Sequence, residues 1–159
     1  MTSFNITSAK EFLDKLHEEQ NDFAASHCLS ARHALNAIIT GYHLHEWIWG
    51  ECLKARPDLI KGWALKAHKC AKEFENYLTE RCCPALGDAR KVVNGTKHFG
   101  LHKIATGEHH GAFQRNAFQA NAFDVSYLWI DRNGKKQKAE YFIKELVDFW
   151  DGFFAQYRL

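Results

Sequence analysis

The sequence predicts a mainly α-helical fold, a helical bundle with a β-hairpin inserted before the C-terminal helix. Three observations predict it. Apolar residues recur at three- and four-residue steps over most of the chain, the period of helices with one buried face. An Asn-Gly pair at 133–134 stands between two runs that read as strands. Only two prolines interrupt the 159 residues. A chain of this length is expected to form one domain, burying roughly two thirds of its unfolded surface. The composition, 46% hydrophobic, 14% aromatic and 25% charged, is globular and excludes a disordered chain.

Each element has its own signal. Ser8 can cap a first helix, with Glu11 in the capping-box position and Phe12, Leu13 and Leu16 following. A second helix, and the longest, runs from near Ser30 to about Leu53, because Leu35, Ile38, Tyr42, His45 and Trp49 repeat on one side. Pro57 breaks the chain, and a third helix is expected over 58–81 through Trp63, Ala67, Cys70, Phe74 and Leu78. Pro84 opens a fourth helix, about 84–99, whose apolar side is Leu86, Ala89, Val93 and Thr96 or Phe99. Three Ala-Phe dipeptides then start at 112, 117 and 122. Three such units cannot build a self-supporting solenoid, so the segment reads as a loop pinned by Phe113, Phe118 and Phe123. The hairpin is expected at about 123–142, with Phe123, Val125, Tyr127 and Trp129 alternating before the Asn-Gly turn. A last helix carries Ile143, Leu146, Val147, Trp150, Phe153, Phe154 and Tyr157 at helical spacing, a stripe that reads as core.

Several function classes drop out. No apolar run is long enough to span a bilayer, and the opening "MTSFNITSAKEFLDKL" lacks the layout of a signal peptide, so a soluble, cytoplasmic protein without a membrane partner is expected. Cysteines at 28, 52, 70, 82 and 83 form no CxxC pair; they read as reduced, mostly buried thiols, not as a zinc ribbon or a disulfide framework. A net charge of +2 does not by itself imply nucleic acid. The charge is uneven, however: "DRNGKKQK" at 131–138 gathers Arg132, Lys135, Lys136 and Lys138 at the hairpin tip, as a solvated turn or as a nucleic-acid contact.

Two constellations can carry chemistry. In "DARKVVNGTKHFGLH", residues 88–102, Arg90, Asn94, His98 and His102 fall at four-residue steps on one helical stripe, opposite the apolar side. Gly95 within that helix costs about 1 kcal/mol relative to Ala, which suggests close approach by another helix, a subunit or a ligand. In "YHLHEWIW" on the second helix, His43 and Glu46 stand three apart, while His45 faces the other way with Tyr42 and Trp49 and reads as a packed residue. Antiparallel neighbours in a small bundle would bring the two sets together.

Three chemistries fit those residue types. His43, Glu46, His98 and His102 would offer three imidazoles and a carboxylate to a metal, but the order His-x-x-Glu reverses that of di-metal bundles and no second acidic pair is evident; no metal and no cofactor are expected. Metal-independent RNA cleavage needs a base, an acid and cations around the developing phosphorane, roles that Arg90, Asn94, Lys97 and His98 can fill. A helical module that binds a partner without catalysis is the third.

A small bundle whose late helix carries an Arg, a nearby Asn and a His resembles the HEPN superfamily. Its ribonuclease members use an Arg, four to six residues, then a His, often with Asn directly after the Arg. Here seven residues, 91–97, separate Arg90 from His98, and Asn94 follows Val93. The resemblance implies an RNA-directed role, as an endoribonuclease or as a non-catalytic binding relative, with RNA as partner and a homodimer as the working form. It implies His98 as acid/base, Asn94 as orienting group and Arg90 as phosphate-binding cation. Lys97, His102, His43 and Glu46 are the candidate substrate contacts.

Overall fold

The computed structural model describes residues 6–63, 70–97, 104–110 and 126–159. Among them are six α-helices and a three-stranded antiparallel sheet that precedes the last helix. No helix among these residues is long and apolar enough to cross a membrane.

Helix α1 (Ala9–Ala25) starts on the expected capping box: the Ser8 hydroxyl accepts from the Glu11 amide at 3.1 Å, and the Glu11 carboxylate accepts from the Ser8 amide at 3.1 Å. These bonds and those from Thr7 hold the Glu11 carboxyl below its usual value. The helix buries Leu13, Leu16 and Phe23. Ser30 caps α2 (Ala31–Trp47), which passes without a break into a π-helical segment, Ile48–Leu53. The wider turn is visible where the Lys54 amide reaches Trp49 O, five residues back, at 2.9 Å. Ile48, Trp49 and Leu53 of this segment are all buried.

The expected third helix over 58–81 is not continuous. Pro57 begins a single turn, α3 (Pro57–Ile60), followed by a 3-10 turn, Lys61–Trp63. A new helix, α4, starts at Ala71 because Cys70 has extended dihedrals, φ −112 and ψ 114, and acts as its N-cap. Helix α4 (Ala71–Tyr77) also ends in a π segment, Leu78–Cys82. The apolar period through Trp63, Phe74 and Leu78 is real in packing, since all three are buried, but two elements supply it. Ala67 lies outside the described residues. Helix α5 (Pro84–Lys97) has Pro84 at its first position.

The hairpin forms as expected and is shorter than expected. Strands β2 (Tyr127–Arg132) and β3 (Lys135–Lys138) flank Asn133 and Gly134, whose φ angles of 56° and 83° are those of a type I′ turn. The Asp131 carboxylate fastens the turn by accepting from the Gly134 amide at 2.7 Å. Helix takes over at Ala139, not at 142, because Ala139, Phe142, Ile143 and Leu146 bury on a helical period. A strand absent from the sequence reading, β1 (Thr106–His109), pairs with β2, so the hairpin is two thirds of a sheet ordered β1-β2-β3. Phe113, Phe118, Phe123 and Val125 lie outside the described residues.

Helix α6 (Ala139–Tyr157) buries the whole expected stripe apart from Tyr157, which is half-buried. It crosses α2 closely at Gly41, where a Cβ would stand 3.3 Å from Leu146 Cδ1, and the Trp150 indole N–H donates to Gly41 O at 2.7 Å. Trp63, Phe74, Tyr77, Phe153 and Tyr157 close one end of the core with stacked and edge-on rings. Trp150→Ala is therefore expected to lower the unfolding free energy by about 3–5 kcal/mol in urea titration, through the cavity left behind. Trp150→Phe, which keeps a ring and loses only the indole bond, should lose less.

Candidate functional site

The buried side of α5 is wider than its apolar pattern. Ala85, Leu86, Ala89, Val92 and Val93 are buried, and so is Asp88. Thr96 is exposed, and its hydroxyl donates to Val93 O at 2.7 Å, so the apolar side does not extend to that position. Asn94 is exposed, as its place on the opposite stripe requires. The side chain of Lys97, and all of His98 and His102, lie outside the described residues.

Arg90 is not an outward-pointing cation. Its side chain is 33% exposed, and Nη1 donates to Glu75 Oε1 at 3.2 Å, reaching across to α4. Glu75 is the centre of a buried cluster that joins three helices. It also accepts from the Tyr42 hydroxyl on α2 at 2.9 Å and from Lys72 Nζ at 2.6 Å. Burial alone would raise the Glu75 carboxyl, but the bonds from Lys72, Tyr42 and Arg90 outweigh it and hold the group below its usual value, so it stays ionised. Burial and the adjacent Glu75 carboxylate push the Tyr42 hydroxyl far up, which keeps it a neutral donor.

The histidines of α2 divide as their spacing indicates. His45 is buried, its Nδ1 lies against Tyr42 O, and burial lowers its pKa, so it is a neutral packed group. His43 is half-buried; its Nδ1 lies 3.4 Å from Glu46 Oε1, and its ring meets Tyr42 edge-on at 5.0 Å.

Helices α2 and α5 run antiparallel, since Tyr42 and His45 share a pocket with Leu86 while Ala34, Leu35 and Ile38 share another with Val92 and Gly95. The Glu75 cluster thus ties Arg90 to the Tyr42 level of α2. One turn further along, Asn94 neighbours Gly95 at the other half of α2. Eight residues, about 12 Å of helix axis, separate Ile38 from Glu46. Among the described residues, Arg90 meets α2 only through Glu75 and Tyr42, and His43 and Glu46 pair with each other.

Gly95 has a visible role. It lines a cavity of about 640 Å³ between α2, α5 and the sheet, walled by Leu35, Ile38, Val92 and Ile130 among others. Of the three occupants the sequence suggested for the space beside it, another helix, a subunit or a ligand, an open cavity leaves room for a ligand.

A second ionic centre, unforeseen as such, fixes the sheet to the bundle. Arg132 Nε donates to the buried Asp88 at 2.9 Å, and its Nη1 donates to Glu145 at 2.7 Å and Gln137 at 2.8 Å. Lys91 adds a 2.7 Å bond to Asp88, and the guanidinium lies over the Phe142 ring. Arg132 is therefore withdrawn from the basic tip, which leaves Lys135 and Lys136 exposed there.

For metal, the described residues offer one group with ligand atoms within 4.8 Å of one another: Glu19, Asp22 and His33. Lys15 already pairs with Glu19 at 3.1 Å, and an Arg32 nitrogen lies 3.2 Å from His33 Nε2. His43 and Glu46 pair with each other, and the expected partners His98 and His102 are not described. The thiols are less buried than expected: Cys83 is buried, Cys28, Cys52 and Cys70 are half-buried and Cys82 is exposed, all without disulfides. Burial raises the pKa of Cys28, Cys52, Cys82 and Cys83, the reverse of an activated nucleophile.

Comparison with protein-family models, with curated proteins and with solved structures finds no match for this chain. Sequence reasoning missed Glu75 and Tyr42 as partners of Arg90. The available signal was a Glu placed between Phe74 and Leu78 on the buried side of its helix.

The shifted groups set a pH dependence. The His45 pKa is lowered from 6.5, so as pH falls below 6.5 the unfolded chain takes the proton first and stability declines. The Glu75 pKa is lowered from 4.5, so its contribution is present above 4.5 and is lost as pH falls through the folded value. Unfolding free energy measured from pH 7 to 3 should fall in two stages, the first absent in His45→Leu and the second flattened in Glu75→Gln.

Proposed function

We propose that the chain is an RNA-directed, HEPN-like helical protein that acts through the exposed stripe of α5, as a metal-independent endoribonuclease or its non-catalytic binding relative. The observation that carries this reading is the setting of Arg90. A buried carboxylate orients its guanidinium through one nitrogen, yet a third of the side chain remains in solvent beside the exposed Asn94. A guanidinium has five N–H donors, so one bond to Glu75 leaves capacity for phosphate oxygens. Held in this way, it loses little conformational freedom on binding.

In this reading Arg90 receives the phosphate and Asn94 orients it. His98, four residues after Asn94 in the sequence, moves the proton between the 2′-hydroxyl and the leaving oxygen. Lys97, His102, His43 and Glu46 contact the substrate at the margins, and a second copy of the chain completes the cleft. The competing reading, a partner-binding helical module, draws its support from the apolar cavity beside Gly95, whose size is within the range of small-ligand sites.

His98→Ala should lower cleavage of single-stranded RNA, assayed without added divalent metal, by about 10² or more, with fold and oligomeric state unchanged. Arg90→Ala should weaken RNA binding and flatten its salt dependence. Glu75→Gln, which leaves the guanidinium in place and disturbs only its anchor, should affect binding less than Arg90→Ala. Cleavage of no RNA tested, or cleavage unchanged in His98→Ala, removes the catalytic reading. Equal loss in Arg90→Ala and Glu75→Gln, together with lowered stability in both, makes Arg90 a structural ion-pair partner only.

A further inference from the structure

We propose that the outer face of the β-sheet is a stacking platform for a single-stranded polynucleotide. Antiparallel pairing puts directly opposed residues on one face, so the register sets His109, Tyr127, Trp129, Lys136 and Lys138 together with Asp131, whose carboxylate is engaged by the Gly134 amide of the turn. The opposite face carries Leu128, Ile130 and Arg132, which pack on the core or bond to Asp88 and Glu145. The sheet is thus anchored by one side and presents the other.

The presented side combines aromatic rings with cations. Lys136 Nζ lies 4.2 Å from the centre of the Trp129 ring, and Lys138 Nζ lies 5.1 Å from that of Tyr127. An exposed ammonium resting on the indole marks that ring face as turned to solvent. Tyr141, 56% exposed, extends the surface onto the first turn of α6. His109 stacks on Tyr127 at 4.7 Å. Gly107 lets the Trp129 indole lie flat across β1, where a Cβ would meet ring atoms at 2.4 Å.

Rings that bind bases and ammonium groups that bind phosphates are the two components of sequence-tolerant single-strand recognition. A cation–π contact at an exposed site is weaker than a base stacked on an aromatic ring, so an arriving base displaces the ammonium and leaves it beside the phosphate. Tyr127 and Trp129, two residues apart on one strand, stand about 6.6 Å apart. That is roughly twice the 3.4 Å step of a duplex strand, which selects an extended strand over a stacked helix. Lys135, paired with Arg132, belongs to the other face, so the positive charge of the platform is that of Lys136 and Lys138.

The proposal shares with the α5 reading only the choice of polynucleotide, and the two are separable. Binding of fluorescent oligo(U) RNA and oligo(dT) DNA to the full chain is measured by anisotropy, with poly-glutamate as a charge-only competitor. Trp129→Leu and Tyr127→Leu, which keep apolar bulk on the sheet, should each weaken binding about tenfold or more, with an unchanged circular dichroism spectrum. Trp129→Phe should restore most of the affinity, and Lys136→Gln should reduce the salt dependence. Preference between the two oligomers identifies the polynucleotide. The proposal is overturned by absence of binding to both, by binding unaltered in the two Leu variants, or by poly-glutamate competing as well as the oligomers do. A chain that binds through the sheet, cleaves nothing and binds RNA unchanged in Arg90→Ala removes the α5 reading alone, and a chain whose cleavage and affinity ignore the sheet variants removes this one alone.

Discussion

The close crossing of α2 and α6 at Gly41 is the constraint on which the rest of the structure depends. With no side chain at that position, Leu146 and Trp150 approach the α2 backbone directly, and the indole bonds to the Gly41 carbonyl. Trp150 is fully buried and its N–H has its partner, so the largest side chain of the core carries no unsatisfied group. The crossing sets the angle between the two longest apolar faces, and Leu16 of α1 lies 3.5 Å from where a Gly41 Cβ would be. Three helices are thereby fixed at one point. Both π segments lie at helix ends, Ile48–Leu53 after α2 and Leu78–Cys82 after α4.

Around this apolar centre, two buried carboxylates organise the polar contacts. Glu75 draws Tyr42, Lys72 and Arg90 together across α2, α4 and α5. Asp88 draws Lys91 and Arg132 together and, through Arg132, joins α5 to the sheet and to Glu145 on α6. Each carboxylate has at least two partners, so the loss of one leaves it still paired, and each cluster fixes geometry as much as it stabilises. The consequence for function is selective. Arg132, the one arginine of the basic hairpin stretch 131–138, is consumed by structure. Arg90 is held but not consumed, and Lys136 and Lys138 are left on aromatic rings.

Helix starts, the capping box, the Asn-Gly turn and the α6 stripe were legible because each depends on residues within about four positions of one another. Ser8 and Glu11 bond to each other's backbones, and Asn133 and Gly134 adopt positive φ whatever surrounds them. The break at Cys70 and the early start of α6 at Ala139 were not legible. Both depend on where neighbouring elements lie, and an apolar period is unchanged by a helix that stops and restarts. Strand β1 escaped notice for a related reason. "TGEH" has no strand pattern of its own and is held by pairing to β2, twenty residues away in the chain.

The sequence by itself determined that this protein is mainly helical, that a hairpin precedes the last helix, and that Asn94 is exposed on a helix whose other side is core. Those properties follow from local backbone preference and from the match between apolar spacing and helical period. Tertiary structure alone decided what the cations do. Arg90, Lys91 and Arg132 look alike in a sequence, but Arg90 and Arg132 are captured by buried carboxylates on other elements while Lys91 pairs within its own helix, and the cost of burying an unpaired charge compels the pairing. It also decided that Tyr127 and Trp129 share a face with Lys136 and Lys138, since strand register, not residue type, sets which side chains are neighbours.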